Sequence, residues 1–337
     1  MSVLVTGGAG YIGSHACVVL LEAGYEVVVL DNFSNSSLEA LKRVKKITGK
    51  NIKLYEGDVL NKNVLQKVFD NEKIEFVIHF AGLKSPAESV SEPMKYYYNN
   101  LNGLMVLLDV MNDNACRNII FSSSAAVYGV ATEIPITENC PKNDCSTPYG
   151  WSKSMSEQIL MDYQNAHVDW KVVILRYFNP IGAHESGLIG ESPAATPNNL
   201  MPYITKVAVG ELGKLNVFGC DYDTADGTGI RDYVHVMDLA RAHVCAAKKF
   251  VDENGCWIYN IGTGKGYSVL EVIATFEKTT GVRIPYDIKP RRKGDVAVSY
   301  CSPKKAEEDF GWKAEYDLHK MCEDSWKWQK NNPKGYE

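Results

Sequence analysis

Tyr149 and Lys153 stand four residues apart in the segment "CSTPYGWSKSMSEQ", which has the pattern of a helix start. Residues at this spacing share one face of a helix, so a phenol and an ammonium group would lie side by side. A free tyrosine has a pKa of about 10, and ionising it near neutrality requires a shift of ~3 units, or ~4 kcal/mol. A cation about 4 Å away contributes ~4 kcal/mol at an effective dielectric constant of about 20. We therefore expect Lys153 to lower the pKa of Tyr149 enough for the tyrosine to act as a base.

Ser124 ends the apolar run in "RNIIFSSSAAVYG" and precedes Tyr149 in the chain. Its hydroxyl is suited to relay a proton and to anchor a substrate alcohol. A strand-end serine, followed by a tyrosine and then by a lysine four residues later, forms a hydride-transfer site in nucleotide-binding folds. The tyrosinate takes the alcohol proton while the carbon gives hydride to a nicotinamide. The alternative for Tyr149 and Lys153 alone is a chance pair on a solvated helix face.

Gly7, Gly8, Gly10 and Gly13, in "VTGGAGYIG", lie between the first predicted strand and the first predicted helix. Glycine permits the tight turn, lets the backbone approach a pyrophosphate and lets the helix pack close to the strand. The helix amino terminus then faces the anion. Asp31, at the end of the next predicted strand, can accept hydrogen bonds from the adenosine ribose, and its charge would repel a 2′-phosphate. The pattern predicts a dinucleotide site that prefers NAD to NADP.

Short apolar runs alternate with amphipathic stretches through the first half of the chain. Near-continuous Val, Ile and Leu in such runs is typical of a parallel sheet that is covered on both faces. We predict an α/β fold with a doubly wound parallel sheet, in which residues 1–176 form a Rossmann-like NAD-binding domain. Pro, Gly and Asn become frequent after this point. Residues 177–337 are therefore predicted to form a smaller, irregular α/β substrate domain, some segments of which return to the first domain.

The composition argues against several classes of protein. The chain is 45% hydrophobic, which allows a large core, and its net charge of -5 with no basic run argues against a nucleic-acid partner. No apolar stretch approaches the ~20 residues of a membrane span, and no signal peptide precedes the first strand, so we expect a cytoplasmic protein without a membrane partner. Nine cysteines without a C-x-x-C pair and seven histidines without ligand spacing predict free thiols and no metal site.

Motifs along essentially the whole chain, among them "GGAGYIGSH", "FAGLK", "LRYFNPIGAH" and "DGTGIRDYVHVMDLA", closely resemble those of nucleotide-sugar 4-epimerases in the extended short-chain dehydrogenase/reductase family. The motifs of the second half are specific to such epimerases rather than to the fold. The resemblance, together with the glycine pattern, implies an NAD site formed by Gly7, Gly10, Tyr11, Ile12, Gly13, Asp31, Asn32, Asp58, Val59, Phe80, Ala81, Gly82, Lys84, Asn99, Ser124, Tyr149, Lys153 and Tyr177.

The resemblance also implies a UDP-sugar substrate and a homodimer joined through helices of the first domain. In the implied reaction carbon 4 of UDP-glucose or UDP-galactose is oxidised, the transient 4-keto sugar turns over in the pocket, and hydride returns to its opposite face. Arginines suit the diphosphate because guanidinium groups pair with phosphate oxygens, although a surface ion pair with a nearby Asp is the alternative. The residues implied to hold the UDP-sugar are Asn179, Asn199, Leu200, Asn216, Phe218, Arg231, Tyr233, Arg292, Asp295 and Ser299.

Ser299, in "RRKGDVAVSYCSPKKA", aligns with the family position that borders the 2-substituent of the sugar. The resemblance implies that a tyrosine there confines an enzyme to UDP-glucose and UDP-galactose, whereas a small residue admits the N-acetylated sugars. We therefore expect UDP-N-acetylglucosamine and UDP-N-acetylgalactosamine to be substrates as well. Two alternatives remain: Tyr300 takes this position if the loop is displaced by one residue, or Ser299 is a loop serine without a substrate role.

Two other functions remain as alternatives. A dehydratase or uronate epimerase of the same superfamily would also modify a nucleotide sugar. A dehydratase would need a further acid and base after the strand-end serine, usually an Asp-Glu pair, where this chain has Ala125 and Ala126. A non-catalytic NAD-sensing regulator would keep the fold without the chemistry, and the intact Ser124, Tyr149 and Lys153 argue against it.

Overall fold

The computed structural model describes residues 1–142, 144–193, 197, 199–251, 254–292 and 294–337. Its centre is a parallel sheet of seven strands, which are β1 (Ser2–Thr6), β2 (Glu26–Asp31), β3 (Lys53–Glu56), β4 (Phe76–His79), β5 (Asn118–Ser124), β6 (Lys171–Tyr177) and β10 (Gly255–Ile261). The strand order is β10-β6-β5-β4-β1-β2-β3, and all neighbouring pairs are parallel. The prediction of a doubly wound parallel α/β fold is confirmed.

Helices cover both faces of this sheet. One face carries α1 (Tyr11–Glu22), α2 (Leu38–Thr48) and α8 (Val236–Ala247), and the opposite face carries α3 (Lys62–Asn71), α5 (Pro93–Asp113) and α6 (Pro148–Ala166). The short helix α4 (Pro86–Ser91) precedes α5. Within β1, Val3 and Val5 pack towards the first set of helices and Leu4 towards the second. Since each strand buries both of its faces, its sequence is a continuous apolar run.

The strand order reverses direction at β1. Strands β2 and β3 lie on one side of β1, and β4, β5 and β6 lie on the other. In open α/β sheets, ligands bind beyond the carboxyl ends of the strands at such a point. The glycine turn that follows β1 and the segment 80–84 that follows β4 are both placed there.

The second half of the chain adds two small sheets on the carboxyl side of the main sheet. One contains β7 (Asn179–Ile181), β9 (Ile230–His235), β11 (Gly266–Ser268) and β13 (Val298–Ser299), and the other pairs β8 (Leu215–Phe218) with β12 (Tyr286–Lys289). The helices of this half are α7 (Leu200–Ala208), α9 (Val269–Thr280), α10 (Lys304–Phe310) and α11 (Leu318–Asn331). Both β10 and α8 lie after residue 176 in the chain. However, β10 is an edge strand of the seven-stranded sheet, and α8 packs against one face of that sheet. The division of function between residues 1–176 and 177–337 stays a prediction.

Within the described ranges, no helix is both long and apolar enough to span a membrane. The same residues contain no group of three or more His, Cys, Asp or Glu side chains that could hold a metal ion. All nine cysteines are free thiols.

Candidate active site

The start of helix α6 positions Tyr149. The Thr147 side chain accepts a hydrogen bond from the Gly150 N–H at 3.2 Å, and Pro148 occupies the first helical position, where no N–H is needed. These two residues fix where the helix begins. Tyr149 therefore lies in the first turn and Lys153 one turn later, as the spacing predicts.

Ser124 is the last residue of β5 and lies against Tyr149. Its hydroxyl accepts a hydrogen bond from the Ala126 N–H at 3.2 Å, and it lies close enough to the Tyr149 phenol to influence the pKa of that group. Both side chains are half-buried, so a substrate can reach them. Two adjacent hydroxyl groups at the edge of the sheet can take and return the proton of a bound alcohol.

Lys153 lies deeper than the two hydroxyl groups and is only 7% exposed. Its ammonium group donates a hydrogen bond to the Ser122 carbonyl at 2.6 Å and lies 4.8 Å from the centre of the Phe121 ring. Burial lowers the pKa of Lys153 to about 8, although the charge of Glu157 opposes this shift. The ammonium group is thus tied to the strand that ends in Ser124.

The expected lowering of the Tyr149 pKa is wrong for this structure. Burial raises the pKa of Tyr149, and the interaction that opposes the rise is the hydrogen bond with Ser124. The expectation counted the attraction of one cation and left out the cost of removing a phenolate from water. Because burial lowers the pKa of Lys153 to about 8, Lys153 no longer carries its charge at the higher pH at which the Tyr149 phenol would ionise.

The glycine turn between β1 and α1 is closely packed. Gly7 has a φ of +72°, and a Cβ atom there would lie 2.8 Å from the Ala81 nitrogen. A Cβ atom on Gly13 would lie 2.2 Å from the Gly7 carbonyl oxygen. The same turn leads from Gly10 into α1, whose first amide groups face the space beyond β1. Tyr11 and Ile12 begin this helix, and the Tyr11 hydroxyl donates to the Gly182 carbonyl at 2.7 Å.

Asp31, at the end of β2, is almost completely buried and holds the glycine turn in place. One of its carboxylate oxygens accepts the Ala9 N–H at 2.9 Å. The other accepts the Phe33 N–H at 2.9 Å and the Ser36 hydroxyl at 2.7 Å. Asp31 therefore has a positioning role in addition to the predicted ribose contact.

Two further predicted cofactor residues follow the neighbouring strands. The Asn32 side chain donates to the Asp58 carboxylate at 2.8 Å, which joins the ends of β2 and β3. Val59, next to Asp58, is buried. We call the space beyond the carboxyl end of β1 the crevice. These residues form the side of the crevice that lies away from β4.

The segment after β4 forms the opposite side. The N–H groups of Phe80 and Ala81 both donate to the Thr6 carbonyl, at 3.0 and 3.1 Å, which places Phe80, Ala81 and Gly82 beside the glycine turn. Lys84 makes an ion pair with Glu191 at 3.0 Å. This ion pair joins the crevice to the second half of the chain.

Asn100 is a residue that the sequence reasoning missed. Asn99, which was predicted, is half-buried on α5, whereas the buried Asn100 accepts the Leu83 N–H at 2.8 Å and donates to the Ser152 hydroxyl at 2.9 Å. Asn100 thereby connects the segment after β4 to helix α6. The doubled asparagine in "YYYNNLNG" is the only signal in the sequence that could have indicated it.

Tyr177 ends β6 and is buried. Its hydroxyl lies 2.6 Å from His243 Nε2. Burial raises the pKa of Tyr177, and a hydrogen bond with Ser122 opposes the rise. The Ser122 carbonyl also accepts a hydrogen bond from Lys153, so Tyr177 lies close to Lys153.

Several predicted substrate residues meet around Asp295. Arg231 lies 3.7 Å and Arg292 3.2 Å from its carboxylate oxygens. The Arg292 guanidinium lies 4.6 Å from the centre of the Phe218 ring. Burial raises the pKa of Tyr233 to about 12, and the charges of Arg231 and Arg292 oppose the rise. The guanidinium groups of Arg231 and Arg292 thus both pair with the Asp295 carboxylate. The alternative of a surface ion pair predicts the same contacts.

The remaining predicted substrate residues lie on three separate elements. Asn179 begins β7, and its amide donates to the Asp232 carbonyl at 2.9 Å. Asn199 precedes α7 and donates weakly to Glu191 at 3.4 Å, while Leu200 is the first residue of that helix. Asn216 is half-buried on β8.

Ser299 lies on β13, directly opposite Arg231 of β9. Successive residues of a strand point to opposite faces, so Ser299 and Tyr300 cannot both face the same space. The Tyr300 ring packs towards Gly266, where an added Cβ would lie 3.1 Å from the ring. In this register Ser299, and not Tyr300, shares a face with Arg231.

The sequence reasoning also missed a buried ion pair beneath helix α6, between Glu157 and Arg176. Glu157, one turn after Lys153, receives two hydrogen bonds from Arg176, at 2.9 and 2.8 Å, and one from the Ser123 hydroxyl at 2.6 Å. Glu157 is fully buried and Arg176 nearly so. These bonds hold α6 against β5 and β6. No sequence motif indicates them, since the two residues lie on different elements.

Comparisons with known proteins agree with this geometry. The profile of the NAD dependent epimerase/dehydratase family matches residues 3–262. The UDP-glucose 4-epimerase of Bacillus subtilis (strain 168) is 55% identical over 336 residues, which cover 100% of this chain and 99% of the relative. The crystal structure of UDP-glucose 4-epimerase from Bifidobacterium longum in complex with NAD+ and UDP has a TM-score of 0.97 and 54% identity, and covers 99% of this chain and 100% of that one. The UDP-Glc/GlcNAc 4-epimerase of Campylobacter jejuni has a TM-score of 0.85 and 36% identity, with 98% and 99% coverage.

Proposed function

Because this chain belongs to the NAD dependent epimerase/dehydratase family, we propose that it inverts carbon 4 of UDP-glucose and UDP-galactose through a transient 4-keto sugar. The observation that carries this proposal is the placement of the half-buried Ser124 and Tyr149 side chains next to each other at the end of β5, with Lys153 bonded to the same strand. Full-length similarity to UDP-glucose 4-epimerases supports the same reaction.

The cofactor is NAD, and the residues of the crevice fit it. Gly7 and Gly13 let the chain pack closely at the start of α1, whose amino terminus can face a pyrophosphate, and Asp31 ends β2 where the adenosine ribose would lie. A bound NAD would supply the hydride acceptor for the oxidation of carbon 4 and the hydride donor for its reduction. Since the cofactor is regenerated in each cycle, the protein should retain it between turnovers.

The catalytic residues have separate roles in this proposal. Tyr149 takes the proton of the 4-hydroxyl group and later returns it, and Ser124 hydrogen-bonds the same oxygen. Lys153 holds its charge below them through the Ser122 carbonyl. The Tyr149 phenol needs a further stabilising charge to ionise near neutrality, because burial raises its pKa. The positive nicotinamide ring of NAD+ supplies a charge of the required sign.

Arg231 and Arg292 bind the diphosphate of the UDP-sugar. A diphosphate offers several acceptor oxygens to guanidinium groups and can replace the contacts that the arginines now make with Asp295. The cation–π contact of Arg292 with Phe218 orients its guanidinium group in advance. Anchoring through UDP leaves the sugar free to rotate after it has been oxidised.

The N-acetylated pair, UDP-N-acetylglucosamine and UDP-N-acetylgalactosamine, is also proposed as substrate. Ser299 leaves room beside Arg231, where a larger side chain would project into the sugar site. The similarity to an epimerase described for both UDP-Glc and GlcNAc supports this breadth.

We further propose that the protein is a cytosolic homodimer. Helices α5 and α6 pack side by side and expose Met94, Tyr98, Met105 and Met155 to solvent, at 58, 62, 42 and 40%. On α5 these residues recur at the spacing of one helix face, which is typical of a helix-helix interface. Nine free thiols suit a reducing compartment.

The experiment that tests the reaction is direct. We expect incubation with UDP-galactose to yield UDP-glucose with no net consumption of NAD. A dehydratase would instead release water and form a 4-keto-6-deoxy sugar. A regulator without catalysis would bind NAD and return UDP-galactose unchanged. Either of these last two results would contradict the proposed function.

A further inference from the structure

Asp232 lies on β9 between two predicted substrate residues, Arg231 and Tyr233, but faces away from them. Side chains alternate along a strand, so the carboxylate lies behind the wall that Arg231 and Tyr233 form. It is fully buried. A buried carboxylate is retained only where hydrogen bonds replace its water, so its partners show what it holds.

Five donors surround this carboxylate. One oxygen accepts the Thr263 N–H at 2.8 Å and the Thr263 hydroxyl at 2.7 Å. The other accepts the Gly264 N–H at 3.0 Å, the Cys301 N–H at 3.3 Å and the Cys301 thiol at 3.4 Å. A Cβ atom on Gly262 would lie 2.6 Å from the carboxylate, so the chain turns closely over it.

The donors come from two segments that are far apart in the sequence. Thr263 and Gly264 follow β10, an edge strand of the seven-stranded sheet, at its carboxyl end. Cys301 follows β13, which carries Ser299. Asp232 therefore joins the strand that carries Arg231 to the main sheet and to the segment that carries Ser299.

The segment after Ser299 is also hydrogen-bonded to the part of the chain that lies between Ser124 and Tyr149. The Ile136 N–H donates to the Tyr300 carbonyl at 2.9 Å, and the Ser302 N–H donates to the Ile136 carbonyl at 2.8 Å. Ile136 lies between Ser124 and Tyr149 in the chain. The position of Arg231 and Ser299 relative to Ser124 and Tyr149 thus depends on the bonds at Asp232 together with those at Ile136.

We propose that Asp232 is a positioning residue for epimerisation, which holds Arg231 and Ser299 at a fixed distance from Ser124 and Tyr149. This inference rests on the proposed function. Asn in place of Asp232 would put an amide N–H against the main-chain donors of either Thr263 or Gly264 and Cys301, so at least one N–H would lose its acceptor. The strand would then shift, and the sugar with it.

The test is Asp232→Asn compared with the wild-type holoenzyme, with UDP-galactose as substrate. A displacement of ~1 Å lowers turnover by about 100-fold, so we expect kcat and kcat/KM to fall together by about this factor per folded molecule. We expect the KM for UDP-galactose and the NAD content to stay near wild type, because Arg231 and Arg292 move together and the crevice is not altered.

Asp238→Asn is the matched control. Asp238 is also fully buried, and its carboxylate accepts the N–H groups of Glu315 and Tyr316, at 3.1 and 3.0 Å, on the far side of α8. This variant is expected to lose thermal stability without any change of kcat per folded molecule. If both variants keep wild-type kcat, or lose it equally, the role proposed for Asp232 is refuted.

Thr263→Val decides the question if Asp232→Asn does not fold. It removes one donor and leaves the three main-chain N–H groups in place, so we expect a smaller decrease in kcat with unchanged KM. An unchanged kcat in this variant would overturn the inference. Inactivity of the wild-type protein towards UDP-galactose would instead reject the proposed function, so the two failures are distinguishable.

Discussion

At the scale of single residues, the proposed chemistry depends on where Ser124, Tyr149 and Lys153 lie relative to one another at the end of β5. The spacing in "PYGWSK" was enough to predict that Tyr149 and Lys153 lie on one helix, because capping by Thr147 and Pro148 is local. It could not predict that Lys153 would donate to the Ser122 carbonyl, since that contact depends on the distance between α6 and β5. The direction of the Tyr149 pKa shift was predicted wrongly for a similar reason, since burial of the phenol also depends on how α6 packs.

We expect Tyr149→Phe to lower epimerase turnover by about 100-fold to 10,000-fold, because it removes the hydroxyl group that is proposed to take the proton. Binding of NAD and of UDP-sugar should persist, since the ring remains. The measurement is kcat with UDP-galactose, alongside the NAD content of the purified protein. Tyr163→Phe is a control on the same helix, where the ring stacks on His167 away from the catalytic groups, and it should leave kcat unchanged. A Tyr149→Phe variant that kept more than about a tenth of wild-type turnover would remove Tyr149 from its role.

At the scale of elements, the substrate site is built from strands that the sequence did not reveal. The run that contains β1 is short and apolar, and similar runs alternate with amphipathic stretches after it, so periodicity was sufficient to predict it. The strand β13 has only two residues, and its pairing with β9 joins positions far apart in the chain. Such a pairing has no local pattern, and the position of Ser299 came only from the family resemblance.

Ser299→Tyr should lower activity on the N-acetylated sugars and spare the plain pair. A tyrosine opposite Arg231 would overlap the acetamido group, and overpacking of this kind costs about 1 to 3 kcal/mol. This corresponds to a loss of about 5-fold to 150-fold in kcat/KM for UDP-N-acetylgalactosamine. The measurement is kcat/KM on both substrate pairs, and Ser299→Ala should retain both. A wild-type protein inert towards the N-acetylated pair, or a tyrosine variant that still accepts it, would contradict the proposal.

At the scale of the whole molecule, the layered sheet followed from the sequence more completely than the assembly did. Buried runs and amphipathic helices recur locally, which allowed the doubly wound fold to be predicted before any contact was known. The return of β10 to the edge of the sheet beside β6 depends on contacts across the chain, and its residues carry no signal for that place.

The exposed apolar face of α5 gives a prediction for the oligomeric state. We expect wild-type protein to sediment at twice the chain mass of 37.5 kDa. Tyr98→Glu would bury an unpaired carboxylate in each copy, and should weaken association by about 100-fold or more. Val168→Glu, at a position that is 72% exposed outside these helices, is the control and should remain dimeric. A wild-type monomer, or a Tyr98→Glu dimer of unchanged affinity, would exclude this face as the interface.

Three of the buried histidines give a prediction for how the stability of the molecule changes with pH. Burial lowers the pKa of His15 and of His79 to about 3, with the charge of Lys153 adding to the shift at His79, and it lowers the pKa of His243 to about 4. In the unfolded chain a histidine titrates at about 6.5. Between these values the unfolded state binds more protons than the folded state, so the free energy of unfolding falls as the pH drops below about 6.5.

From about pH 7.5 to about pH 5.5, each of these histidines should remove about 1.4 kcal/mol, and the three together about 4 kcal/mol, from the free energy of unfolding. Urea unfolding at the two pH values measures this loss. His15→Leu should reduce the loss by about 1.4 kcal/mol, because the pH-independent cost of the substitution cancels when the two pH values are subtracted. His319→Leu, at an exposed position, should leave the loss at its wild-type value. If His15→Leu and the wild-type protein lose equal stability, His15 is not held neutral in the folded state.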